Sequence, residues 1–179
     1  MRHALVLPIV LALSPAGCNL DDDEADLAGL VATQFVPLGV DTGDVDGATL
    51  RATSVVTPTS WLIAVKNQFG RAPERVELAS ISLKVNTPMV EDWSYLWPGE
   101  VTVAFIPASS QTRVIVARGT PPASFGTFKP SLSVSHDTLD ISPDFAAGDF
   151  SVEVSGATLR AGSDNFSQQV VMELQFLVF

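Results

Sequence analysis

The chain has 179 residues, 46% hydrophobic and only 17% charged, and its 10 Lys and Arg against 20 Asp and Glu leave a net charge of -10. That composition excludes a disordered polar chain, and the charge disfavours nucleic acid and anionic headgroups as direct partners. One Cys and two His exclude an internal disulfide framework and a Cys- or His-rich metal module.

The N-terminus reads as an export address. Arg2 and His3 precede Ala4 to Leu13, an uncharged run interrupted only by Pro8. It is too short to span a bilayer, which takes about 20 apolar residues, and has the proportions of a secretory signal core. Ser14-Pro15-Ala16-Gly17-Cys18 closes the segment and resembles the lipobox of bacterial lipoproteins. Pro15 stands where that family usually has an aliphatic residue. The resemblance implies that residues 1–17 are removed, that Cys18 carries the lipid, and that the partner is a membrane held through this N-terminal anchor. Because Asn19 is not the Asp that retains some of these lipoproteins on the inner membrane, the resemblance points to the outer membrane. Ser14-Pro15-Ala16 also fits ordinary cleavage after Ala16. Residues 18–26 form an acidic tether, with five acids between Asp21 and Asp26.

Residues 27–179 read as one all-β domain, an antiparallel β-sandwich of immunoglobulin-like or jelly-roll-like type with about 8–10 strands. From residue 18 onward there are 20 Val, 5 Ile and 13 Thr, which favours strands over helices. Period-2 alternation predicts strands near 28–37, 48–57, 61–65, 75–86, 101–105, 111–118, 130–142, 150–155 and 170–178. Leu27, Leu30, Val31 and Phe35 also fit helical spacing, but Val31, Thr33 and Val36 favour a strand there. Within 75–86 the apolar parity switches: Val76 and Leu78 share one face, while Ile81, Leu83 and Val85 share the other. Since a one-residue shift inverts every side chain, a β-bulge is expected at Ala79-Ser80. A membrane barrel fits poorly, because Glu173 and Gln175 share the face of the terminal Phe179 and would meet lipid.

No catalytic constellation emerges, and the reading is non-enzymatic. His136 and Asp137 are adjacent on an expected strand and point to opposite faces. The carboxylate pairs Glu91-Asp92, Asp137 with Asp140 and Asp144 with Asp149 are what chance produces in so acidic a chain. An unrecognised hydrolase using these groups is the third reading. Asp41, Asp44 and Asp46, followed by Gly47, partly match a calcium loop of EF-hand type. Thr42 replaces its first Asp, and Thr53 stands where the chelating Glu belongs. A polar hairpin turn explains the same residues. Trp93, Tyr95 and Trp97 could stack on a sugar or anchor an envelope protein. Alternatively, the two Trp plug the open end of the sandwich. Calcium and the aromatic cluster together make a calcium-assisted carbohydrate-binding module the second reading. The leading one is a lipid-anchored envelope protein with a binding or structural role.

Overall fold

The computed structural model describes residues 30–57, 63, 66–67, 70, 73–86, 92–124, 126–133, 139–142 and 149–179. Two antiparallel sheets pack face to face. The four-stranded sheet has the order β1-β10-β4-β8, from β1 (Leu30–Asp41), β10 (Ser167–Val178), β4 (Val76–Val85) and β8 (Leu139–Asp140). The six-stranded sheet has the order β2-β3-β9-β5-β6-β7. Its strands are β2 (Val45–Asp46), β3 (Thr49–Val56), β9 (Phe150–Ala157), β5 (Val101–Pro107), β6 (Val114–Gly119) and β7 (Ser131–Leu132).

The pairing follows one rule. The first half of the chain pairs with the second half in reverse order: β1 with β10, β3 with β9, β4 with β8 and β5 with β6. The chain is a long folded hairpin whose tip is the turn between β5 and β6, rolled so that alternate pairs enter alternate sheets. That is the jelly roll, one of the two topologies the strand pattern allowed.

Alternation fills the interior. On β10, Val170, Met172, Leu174, Phe176 and Val178 are buried, each worth about 1.5–3 kcal/mol relative to exposure. Glu173 and Gln175 face outward, with Gln175 accepting from the Ser80 hydroxyl and donating to Glu173. The expected bulge is present. Gln175 pairs with Ser80 and Phe176 with Leu78, so Ala79 is the extra residue. This shift lets Leu78 and Ile81 both reach the core despite their opposite parity.

Two stretches depart locally from the expected strands, and the 41–47 segment takes one of its two expected forms, the polar hairpin turn. Ile63, Lys66 and Asn67 take helical backbone, and Gly70 N donates to Lys66 O at 2.8 Å, so the strand expected over 61–65 is not formed at Ile63. Within the stretch expected as one strand over 130–142, the described residues form β7 and β8, which lie in different sheets. The 41–47 segment is a 3-10 turn (Thr42–Asp44) followed by the β2–β3 hairpin, closed by Gly47 at φ 60°. No helix among the described residues is long and apolar enough to cross a membrane.

Candidate functional site

Four connections meet at one end of the sandwich: β1–β3, β4–β5, β6–β8 and β9–β10. Hydrogen bonds tie them together. Thr158 N donates to Ala48 O at 2.9 Å, and the Thr42 hydroxyl donates to Asp164 O. Arg160 Nε donates to Tyr95 O at 3.1 Å, and Trp93 Nε1 donates to Gly126 O at 3.1 Å. The topology thus places residues 41–47 and 92–99 at the same end, joined through the β9–β10 connection.

Trp93 and Trp97 are fully buried. Asp92 caps the 3-10 turn Trp93–Tyr95 by accepting from Ser94 N at 2.8 Å, which turns both indoles inward. Their rings stack at 6.2 Å, and Trp93 meets Phe128 edge-on at 6.0 Å. Trp97 Nε1 donates to Leu50 O at 3.2 Å, so its polar edge is satisfied inside the core. The two indoles close the open end of the sandwich, and their faces are not presented to a ligand. Tyr95 is half-buried. Arg160 lies 3.8 Å above its ring centroid, and Phe166 meets it edge-on at 6.2 Å. The two indoles therefore take the plug arrangement, the alternative to an exposed stacking face, while Tyr95 stays partly exposed.

The carboxylates of the 41–47 segment serve the turn. Asp41 accepts from Gly43 N at 2.7 Å, while Asp44 accepts from Asp41 N at 2.8 Å, a reciprocal capping box. Asp46 is exposed on β2. Among the described residues no group of three or more His, Cys, Asp or Glu could hold a metal ion.

Asp140, a candidate acid in the sequence, also caps a turn. Its carboxylate accepts from the Ser142 hydroxyl at 2.6 Å and from Ser142 N at 2.9 Å. Those two bonds hold its pKa below the ordinary aspartate value, with a smaller contribution from Arg75. His136, Asp137, Glu91, Asp144 and Cys18 lie outside the described residues.

A cluster not singled out in the sequence sits on the outward face of the six-stranded sheet. Arg113 Nε donates to Glu153 at 2.7 Å, and its Nη2 donates to the hydroxyls of Thr102 and Ser155, both at 2.9 Å. The Glu153 side chain is 10% exposed and that of Arg113 37%. Arg113 thus lies across β5 and β9, bonded to Thr102, Glu153 and Ser155. The only local signal was parity: Thr102, Glu153 and Ser155 interrupt apolar strands at outward positions. Nothing local shows that Arg113, 40 residues from Glu153, reaches them.

No family model matches the chain, and no curated protein matches it. Among solved structures, it is similar to the cryo-EM structure of the giant freshwater prawn Macrobrachium rosenbergii extra small virus VLP, at 10% identity over 96% of this chain and 94% of that one, with a TM-score of 0.23. A second is Desmodium yellow mottle tymovirus, at 11% identity over 93% of each chain, with a TM-score of 0.28. At such scores neither carries an argument about this chain.

Proposed function

We propose that the chain is an exported lipoprotein, anchored by acylated Cys18 on the outer membrane, whose β-sandwich has a non-enzymatic binding or structural role in the cell envelope. The observation that carries this reading is the placement of the single Cys. It follows an apolar segment and small residues, where lipidation requires a thiol, and the sandwich begins at Leu30. The acidic run between Asp21 and Asp26 supports it as well, since five acids beside an anionic leaflet would hold the domain off the surface. Two or more acyl chains make such attachment stable, at about 0.8 kcal/mol per buried methylene. The filled interior of the sandwich and the capping roles of Asp41, Asp44 and Asp140 fit a scaffold that works through its surface.

The test is mass spectrometry of the mature N-terminus after expression in a bacterial host, with palmitate-analogue labelling. Acylation at Cys18, abolished by Cys18→Ser, is the expected result. An unmodified N-terminal Gly17 refutes the anchor.

A further inference from the structure

We propose that β1 pairs edge to edge with β1 of a second copy of this chain, antiparallel about a two-fold axis at Thr33. Hydrogen-bond parity shows which groups are on offer. Phe179 N donates to Arg75 O and Asn86 N donates to Gln169 O, so the odd residues of β10 bond toward β4. Its even residues therefore bond toward β1, and the register makes their partners Leu30, Ala32, Gln34, Val36, Leu38 and Val40. The odd residues of β1 turn N–H and C=O to the other side, where no strand pairs with β1 among the described residues. Asp41 N agrees with this parity, because it donates to the Asp44 carboxylate. Pro37 falls in the same set, where its missing N–H takes nothing from the ladder to β10.

Native proteins blunt long sheet edges with charge or Pro. From Leu30 to Val40 β1 has no charged residue, and Pro37 protects only its C-terminal half. The stretch left open is Val31 to Phe35, about 17 Å of strand. Val31 is 47% exposed, and Thr33 and Phe35 are half-buried on the outward face. This stretch is self-complementary. With the two Thr33 residues opposite each other, Val31 of each copy faces Phe35 of the other. Val31, Thr33 and Phe35 then each exchange N–H and C=O across the axis. Thr–Thr and aromatic–β-branched pairs are both favourable across strands, and a two-fold contact needs one patch that fits itself. Moving the axis one residue toward the C-terminus sets Pro37 opposite Val31 and loses a bond at each end. Charge points to the same strand. Each copy carries a net charge of -10, and β1 from Leu30 to Val40 lets two such copies meet without setting like charges against each other. The inference depends on the fold and not on the anchor or the envelope role.

Sedimentation equilibrium of the purified full chain in mild detergent tests it. A monomer–dimer equilibrium is expected, moving toward dimer as salt screens the net charge. The contact is short and belongs with weak complexes, so the loading series extends to millimolar protein. Thr33→Lys sets two ammonium groups against each other at the axis and should weaken the dimer about 5-fold at unchanged Tm, although it lowers the repulsion between the copies as wholes. Thr33→Pro removes an N–H that β10 does not use and should weaken the dimer about 10-fold. Gly39→Lys lies outside the paired stretch and should not weaken it. A chain that stays monomeric throughout overturns the proposal and leaves the edge to a strand of another protein. A dimer unaffected by Thr33→Lys and Thr33→Pro places the contact elsewhere and overturns it as well.

Discussion

Gly156 and Trp97 occupy one space between them. A Cβ placed on Gly156 would stand 2.9 Å from Trp97 Cδ1 and 2.9 Å from Glu100 O. The glycine is there because an indole and a backbone carbonyl close over β9 at the loop end. Gly156→Ala should therefore destabilise the fold by about 1–3 kcal/mol, the usual cost of overpacking. Urea unfolding checks it, and an unchanged midpoint would show that the indole moves aside freely.

Burial of the indoles makes a second prediction. Trp93→Ala and Trp97→Ala should each cost about 3–5 kcal/mol, as for other large core truncations. Variants that lose a ligand but keep full stability would return these residues to a binding role.

The capping box at the β1–β3 connection gives a third. Asp41→Ala removes an acceptor for Gly43 N and should cost about 1 kcal/mol. Asp41→Asn should retain most of it. Millimolar calcium should leave the Tm of the parent chain unchanged, because Asp41 and Asp44 accept backbone N–H groups of the same turn. Thermal scans with and without chelator measure both.

On the sheet face, Arg113→Ala would strand the nearly buried Glu153 and is expected to cost about 1–3 kcal/mol. Arg113→Met combined with Glu153→Gln should cost less than the Arg113→Ala change alone, because no charge is left without a partner. A double-mutant cycle read by denaturant unfolding isolates the pairing.

The lowered pKa of Asp140 sets a pH dependence. The folded chain takes up this proton less readily than the unfolded chain. The stabilisation is thus fully present above the ordinary aspartate value, about 4, and is lost as pH falls through the lower folded value. The Tm difference between the parent chain and Asp140→Asn should be largest near neutrality and close at low pH. A difference that grows on acidification would contradict the assignment.

Features that depend on near neighbours were legible along the chain. Period 2 is a local property of a pleated strand, so the strands carrying the core, the inward face of β10 and the bulge at Ala79 were all legible from parity. The β1 segment resolved to a strand for the same reason, its branched residues outweighing a helical spacing. The helical backbone at Ile63 ran against a short alternating stretch, where periodicity alone separates the two states poorly.

Pairing order is different in kind. Immunoglobulin-like and jelly-roll sandwiches share strand lengths and turn spacings, and only the contacts between distant strands, such as β1 with β10, separate them. The same holds for side chains. Trp93 and Trp97 look alike as surface anchors or as core plugs until the β6–β8 connection brings Gly126 and Phe128 against Trp93 and β3 offers Leu50 O to Trp97. Arg113 is one more surface cation until rolling of the hairpin lays it across β5 and β9, beside Thr102, Glu153 and Ser155. Tertiary structure decided these because they rest on contacts between segments tens of residues apart, which leave no periodic trace in the segments themselves.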